Sequence, residues 1–240
     1  MTEIVDIHSH ILPGIDDGAD SWKEALRMLK TAQSQGIRKV IATPHWGGTF
    51  GSTDPKEIRQ LCLELQEKLR HYNIRVKVYP GQEAMYTEAT LDELFKGNIL
   101  TMADSRYVLI EFYREIGYSG IFRAVQRLTQ AGYRPIIAHA ERYEPLRNME
   151  RLEELRKQGA YIQMNFRAVG GPWYDSTTRW CRKMLKDGFV HFMGTDMHNM
   201  RTRKPESERA SAWMEKHLDP SYVRKLFVKN PSRILKDERI

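Results

Sequence analysis

The 240-residue chain carries 38 lysine and arginine residues against 31 aspartate and glutamate residues, so its net charge is +7 at pH 7. Hydrophobic residues make up 41% of the sequence and charged residues 29%, a globular balance that excludes a disordered or low-complexity chain. No apolar run reaches the roughly 18 residues that span a bilayer, and the N-terminus lacks the layout of a signal peptide, so we expect a cytoplasmic protein without membrane insertion.

Seven short apolar runs alternate with amphipathic helical patterns along the chain. The stretches between the runs have helical periodicity, and several end in glycine just before the next run, as SWKEALRMLKTAQSQG does. Strand and helix alternating this often predict an α/β fold with a parallel sheet, closed or nearly closed into a barrel, in a single domain over residues 1–240. The runs are EIVDIHSH, RKVIATPH, VKVYPGQE, YVLIEF, RPIIAHAER, AYIQMNF and HFMGTDMHN.

An open, doubly wound sheet is the alternative architecture. A glycine-rich phosphate loop is expected after the first strand of such a sheet. Here that strand continues as HSHILPGIDDG, which matches neither GxGxxG nor GxxxxGK[ST]. The most loop-like segment is RAVGGPWYDSTTRW, which the sequence leaves open as either a lid or a packed crossover.

Histidine and acidic side chains collect at the ends of the predicted strands. In a parallel barrel these ends line one mouth, where such folds build their active sites. Imidazoles and carboxylates without thiolates suit zinc, iron or manganese, and the share of carboxylates favours harder ions. Nine ligands exceed the needs of one ion, so we predict two or three ions bridged by a carboxylate such as Glu83. The candidates are His8, His10, His45, Glu83, Glu111, His139, Asp196, His198 and one of the adjacent pair Asp16 and Asp17.

Several other residues are assigned supporting or structural roles. Asp6 shares a strand face with His8 and His10, where it is expected to support the imidazoles. The remaining histidines lie within helical patterns or at a strand start, so we expect no metal there. They are His71, His191 and His217.

The two cysteines do not match a cysteine-dependent phosphatase. A Cys-x5-Arg loop starting at Cys62 or Cys181 would need arginine at position 68 or 187, where the chain has Lys68 and Asp187. Neither cysteine belongs to a CxxC motif, so we expect free thiols without a catalytic role.

Six motifs in order resemble the polymerase and histidinol phosphatase (PHP) family of metal-dependent hydrolases. The resemblance is greatest to its bacterial protein tyrosine phosphatases, which act in capsule and exopolysaccharide synthesis, and it runs from Asp6 to the terminal NPSRIL. It implies a distorted (βα)7 TIM-like barrel with a trinuclear site that usually holds Mn²⁺, although Fe, Zn, Co or Mg would also suit the ligands. The motifs are DIHSHILPGIDDG, TPH, GQE, LIEF, AHAERY and TDMHN.

The resemblance also implies a role for each candidate residue. It selects Asp17 over Asp16, and it places Arg142 and Arg203 at positions that bind phosphate, which guanidinium groups fit well. Arg201 lies close enough to compete with Arg203 for that assignment. The implied ligand sets are His8, His10, Glu83 and Asp196 for the first ion, Glu83, Glu111 and His139 for the second, and Asp17, His45 and His198 for the third.

The implied function is hydrolysis of phosphotyrosine on the tail of a bacterial tyrosine kinase that regulates polysaccharide synthesis. A histidinol-phosphate phosphatase would use the same metals on a small metabolite. A nucleic-acid-associated PHP domain is compatible with the charge of +7, but no basic stripe with interleaved aromatic residues is present, so no nucleic acid partner is expected.

Overall fold

The computed structural model of the protein describes residues 3–240; Met1 and Thr2, the start of the predicted domain, lie outside the described residues. No helix in the described range is long and apolar enough to cross a bilayer. The strands of this range are β1 (Ile4–Asp6), β2 (Ile37–Ala42), β3 (His45–Trp46), β4 (Lys77–Pro80), β5 (Glu83–Met85), β6 (Tyr107–Glu111), β7 (Arg134–Ile137), β8 (Tyr161–Asn165) and β9 (Phe192–Gly194). The α-helices are α1 (Trp22–Ser34), α2 (Pro55–His71), α3 (Thr90–Lys96), α4 (Tyr118–Gln130), α5 (Met149–Lys157), α6 (Phe166–Val169), α7 (Ser176–Lys186), α8 (Glu208–His217), α9 (Pro220–Arg224) and α10 (Asn230–Ile234).

All neighbouring strands pair in parallel, as the alternation of strand and helix predicted. One sheet has the order β1-β2-β4 and the other the order β3-β5-β6-β7-β8-β9, so strand order follows the chain without the reversal typical of a doubly wound sheet. Every predicted apolar run contains a strand, and two runs contain two. In RKVIATPH the break falls at Pro44, whose missing N–H cannot donate a ladder hydrogen bond.

The chain beyond β1 and the chain beyond β9 are joined by backbone hydrogen bonds. The Asp196 N–H donates to the His8 carbonyl at 2.9 Å, and the His10 N–H donates to the Met197 carbonyl at 2.9 Å. Ser9 forms an isolated parallel bridge with Met197. These bonds bring the carboxyl ends of the first and last strands together, which places their side chains in one mouth.

Alternating residues of the strands divide between two packed layers. In β6, Tyr107 and Leu109 pack in an inner cluster with residues of other strands, whereas Val108 and Ile110 pack against the helices. Glu111 continues the alternation of Tyr107 and Leu109 and ends the strand. The period of two therefore places its carboxylate at the mouth, on the inner side.

The segment RAVGGPWYDSTTRW, residues 167–180, forms a folded crossover between β8 and α7. Arg182 donates hydrogen bonds to the carbonyls of Val169 and Gly171, which ties the segment to α7. Trp173 and Tyr174 at its tip are 76% and 68% exposed. Hydrogen bonds thus fix the backbone of the segment against α7, while two aromatic side chains project from it.

His191 gives a test of how pH affects the stability of this fold. Its Nδ1 accepts the Ile162 N–H at 3.1 Å, and burial, with the charge of Arg156, lowers the pKa of His191 from 6.5 to about 4. Below about pH 6.5 the unfolded chain takes up a proton that the native ring excludes, so the free energy of unfolding should decrease towards pH 4. In urea unfolding, the free energy of unfolding of His191→Gln should decrease less towards pH 4 than that of wild type. The difference in this free energy between the two proteins should therefore become smaller as pH falls.

His217→Gln provides the matched control for the exchange of histidine for glutamine, since His217 is exposed on α8. A constant offset between wild type and His191→Gln from pH 7 to about pH 4 would contradict the assignment.

Candidate metal centre

The structure brings all nine predicted ligands to the carboxyl-end mouth of the parallel strands. Eight of them form three overlapping groups, and within each group one ligand atom per residue lies within 4.8 Å of the others. The ninth, His139, is in none of these groups, but its Nε2 lies 2.8 Å from Glu83 Oε1. Metal bonds of about 2.0–2.2 Å place neighbouring ligand atoms roughly 3 Å apart, so these spacings fit shared cations. The groups are His10, Asp17, His45 and His198; His8, His10 and Asp196; and His45, Glu83 and Glu111.

The grouping by distance agrees only in part with the sets that the resemblance implied. His10 also lies with the third implied set and His45 with the second, whereas Glu83 is not grouped with the first set and His139 is not grouped with the second. The His45 ring explains its own place in two groups, because its Nε2 is 3.5 Å from Asp17 Oδ1 while its Nδ1 is 3.0 Å from Glu111 Oε1. The His45 imidazole thus lies between Asp17 on one side and Glu111 on the other.

Glu83 connects the groups through its two carboxylate oxygens. Its Oε2 lies 3.0 Å from His8 Nε2 and 3.2 Å from His10 Nε2, whereas its Oε1 lies 2.8 Å from His139 Nε2. The side chain is 1% exposed. This geometry is the one expected of a carboxylate that bridges two cations.

Several of these close contacts are not hydrogen bonds. Glu83 Oε1 and His139 Nε2 are buried and have no hydrogen-bond partner within residues 3–240, although they lie 2.8 Å apart. His45 Nδ1 and His198 Nε2 are also buried and have no hydrogen-bond partner within residues 3–240. Buried polar atoms are rarely left unpaired in folded proteins. Lone pairs aimed at a common space are what cations require, so the residues fit a metal centre.

Charges in the cluster compensate each other. Burial alone would raise the pKa of the Glu83 carboxyl, but the imidazoles of His8 and His139 hold that pKa well below its usual range. Burial alone would lower the pKa of His45, but Asp17 and neighbouring carboxylates raise it to about 11. A divalent cation would replace imidazole protons in this cluster, so its binding releases protons.

Two of the predicted ligands have unusual backbone conformations. His139, just after β7, has φ of 32°, and Asp196, just after β9, has φ of 53°. The left-handed region is unfavourable for residues other than glycine, and such strain is concentrated at functional sites. These turns redirect the chain at the strand ends and orient both side chains towards the mouth.

Asp16 supports the cluster in a way that sequence reasoning missed. Its Oδ2 is 2.7 Å from His10 Nδ1, and its Oδ1 accepts the Gly18 N–H at 2.9 Å. A carboxylate on Nδ1 makes that nitrogen the protonated one and leaves Nε2 free to bind a cation. The adjacent acids therefore differ in position, since Asp17 lies in a ligand group and Asp16 lies behind His10.

Gln163 and Asn165 on β8 form a second support. The Gln163 Oε1 accepts the His139 N–H at 2.6 Å and lies 3.2 Å from His8 Nδ1, and the Asn165 Nδ2 donates to Asp196 Oδ2 at 2.9 Å. Gln163 also donates to Asn165 Oδ1 at 2.9 Å. The sequence carried a signal for this support, because Gln163 and Asn165 are polar residues at alternate positions of the apolar run AYIQMNF. That run predicted only a strand.

Asp6 supports the backbone rather than the imidazole rings that were expected. It accepts the N–H and hydroxyl of Thr195 at 2.9 and 2.5 Å, and the His8 N–H at 3.2 Å. Asp6 thereby fixes the turn that precedes Asp196. Three histidines were expected not to bind metal, and all three lie outside the ligand groups. They are His71, His191 and His217.

Arg142 and Arg203 both contact Asp196. Arg203 donates to Asp196 Oδ1 at 2.7 Å and lies 3.3 Å from Asp17 Oδ2, and Arg142 donates to Asp196 Oδ2. Their side chains are 31% and 28% exposed. Arg201 instead pairs with Asp20 at 3.1 Å and is 74% exposed. The cluster therefore has two guanidinium groups at its solvent side, and Arg201 is not one of them.

Comparison with known proteins agrees with this geometry. Residues 4–236 match the protein family described as capsular polysaccharide synthesis, CpsB/CapC. The chain belongs to the CpsB/CapC family. The match confirms the resemblance that the six motifs indicated, and it extends over almost the full sequence.

Relatives of similar length carry the name tyrosine-protein phosphatase. CpsB of Streptococcus pneumoniae is 33% identical over 243 residues, covering 99% of this chain and 100% of its own. YwqE of Bacillus subtilis is 30% identical over 238 residues, covering 99% of this chain and 93% of its own.

Two solved structures relate this family to its fold. A chain from the crystal structures of YwqE and CpsB, described as unique metal-dependent tyrosine phosphatases, has a TM-score of 0.92 at 30% identity, with 99% of this chain and 96% of that chain covered. A phosphotriesterase homology protein from Escherichia coli has a TM-score of 0.64 at 11% identity, covering 97% and 98%. The second likeness concerns the fold alone.

Removal of the charge behind His10 should weaken metal binding. We expect Asp16→Asn to reduce the affinity for Mn²⁺ by about 10- to 100-fold, because Nε2 loses basicity and orientation when its partner on Nδ1 is neutral. Titration calorimetry would measure the affinity. Asp20→Asn is the matched control, since Asp20 is exposed and pairs with the surface residue Arg201. Equal affinities for Asp16→Asn and wild type would exclude this role for Asp16.

Proposed function

We propose that this protein is a metal-dependent protein tyrosine phosphatase. Its substrate would be phosphotyrosine on the tail of a bacterial tyrosine kinase that regulates capsule or exopolysaccharide synthesis, encountered in the cytoplasm. The observation that carries the proposal is a buried cluster of imidazoles and carboxylates beside two arginines, in a chain of the CpsB/CapC family. The tyrosine phosphatase relatives support the choice of substrate.

We propose that the cluster holds two or three Mn²⁺ ions. Carboxylates outnumber what a structural zinc site would use, and hard divalent ions prefer them. The proposed ligand sets are those implied by the resemblance, with Glu83 as the bridge and Asp17 as the acid nearest solvent. The same resemblance supports a seven-unit barrel in one domain, in which β2 with β3 and β4 with β5 each form one unit.

The ions, when bound, would lower the pKa of water and neutralise charge on the phosphate. The residues of the chain have separate tasks. Arg142 and Arg203 bind the phosphate oxygens and stabilise the charge that grows on them in the transition state. Both are partly exposed and reach the cluster through Asp196, so each can exchange a carboxylate contact for a phosphate contact.

Neither cysteine is suited to act as the nucleophile. Cys62 and Cys181 are free and buried. Burial raises the pKa of the Cys62 thiol to about 12 and raises that of Cys181 as well, so both remain protonated at neutral pH. The nucleophile in this proposal is therefore water, which cations held by the imidazoles and carboxylates of the cluster would activate.

The test compares substrates on manganese-loaded protein. We expect a phosphotyrosine peptide to be hydrolysed faster than a phosphoserine peptide or histidinol phosphate. EDTA should abolish activity, whereas Cys62→Ser combined with Cys181→Ser should keep it near wild type. Elemental analysis should find more than one equivalent of metal. Equal turnover of all three substrates would leave only a general phosphoesterase, and full activity with one equivalent would contradict a multinuclear site.

Arg201, which lies in the same loop as Arg203, provides a closely matched control for the two arginines. Arg203→Ala or Arg142→Ala should lower kcat/KM for a phosphotyrosine peptide by roughly 10- to 1000-fold, because one donor to the developing charge is lost. Metal content should be unchanged. Arg201→Ala should have little effect, since its side chain pairs with Asp20 outside the cluster. A larger loss in Arg201→Ala than in Arg203→Ala would reverse the assignment.

A further inference from the structure

The loop between β3 and α2 closes over one side of the cluster. Trp46 forms an antiparallel bridge with Ser52, and the Gly47 N–H donates to the Gly51 carbonyl at 2.6 Å. Gly47, Gly48 and Gly51 have φ of 77°, 65° and 74°, which other residues rarely adopt. The glycines let five residues turn back within a short span, and the two ends of the loop are tied together.

Phe50 lies in this loop, against a predicted ligand. Its ring is stacked on the His45 ring, with centroids 4.5 Å apart and planes inclined by 8°. His45 is buried, but Phe50 is 43% exposed. Large aromatic side chains are usually buried more fully than this. One part of the Phe50 ring therefore covers the cluster, and the rest remains available at the mouth.

We propose that Phe50 is a specificity-determining residue that contacts the aromatic ring of the phosphotyrosine substrate. The inference rests on the proposed function. A phosphate bound by Arg142 and Arg203 at the cluster directs its ester group outward, towards solvent. In phosphotyrosine the ring begins directly at the ester oxygen, so it lies just outside the ligands, at the level of Phe50. Offset or edge-to-face packing of the two rings would be favourable.

Phosphoserine cannot make this contact because only a methylene group follows its ester oxygen. Preference for phosphotyrosine would thus depend on a contact with the ring, in addition to the reach of a longer side chain. The metal cluster and the arginines act on phosphate in either substrate, whereas Phe50, stacked on His45 and 43% exposed, can distinguish the two by ring stacking.

Non-hydrolysable ligands test this contact separately from catalysis. Benzylphosphonate carries a ring and methylphosphonate does not, and calorimetry on the manganese-loaded full chain would measure both affinities. Phe50→Ala should weaken benzylphosphonate binding by roughly 3- to 30-fold and change methylphosphonate binding by less than about twofold. Phe50→Tyr should restore the preference, and Phe50→Leu, which keeps apolar volume over His45, should restore it only in part.

Phe95→Ala is the matched control, because Phe95 is 65% exposed on α3 and should leave both affinities unchanged. Equal weakening of both phosphonates in Phe50→Ala, or full restoration by leucine, would show that Phe50 only packs on His45 and would overturn the inference. Unchanged affinities for both phosphonates in Phe50→Ala would also overturn the inference. A wild type that prefers benzylphosphonate but does not hydrolyse phosphotyrosine peptides would refute the proposed function while supporting the ring contact.

Discussion

The buried carboxylate of Glu83 is the constraint on which the rest of the site depends. The Glu83 side chain is 1% exposed, and burial of its negative charge costs much free energy unless positive or polarised groups surround it. Those groups come from distant parts of the sequence, with His8 and His10 after β1 and His139 after β7. The strand ends must therefore meet at one point, and the hydrogen bonds between the chain after β1 and the chain after β9 hold them there.

Behind the predicted ligands lies a layer of buried polar residues that is almost fully hydrogen-bonded. Asp16 orients His10, Gln163 contacts both His8 and His139, and Asp6 fixes the turn before Asp196. Networks of this kind hold side chains rigidly, since each lost bond leaves an unpaired buried group. The rim is different in character, because Phe50, which stacks on His45, is 43% exposed.

The distribution of charge reconciles an acidic cluster with an anionic substrate. Carboxylates at the mouth would repel phosphate, but imidazoles and the two arginines compensate them locally. Arg142 and Arg203 contact Asp196 at the solvent side of the cluster, and the net charge of +7 adds a long-range field that favours anions. Such a field raises encounter rates with anionic substrates and weakens as salt is added.

The sequence by itself determined the parallel α/β organisation, the strand ends that carry the candidate ligands and, through its motifs, the family. Apolar runs and ligand residue types are local properties, and a parallel fold converts their order along the chain into position at one mouth. Tertiary structure alone decided the separate positions of Asp16 and Asp17, the partners that Gln163 contacts and the stacking of Phe50 on His45. Each depends on contacts between residues whose relative orientation or distance is set only when the strands close together, so the order of residue types along the chain does not specify it.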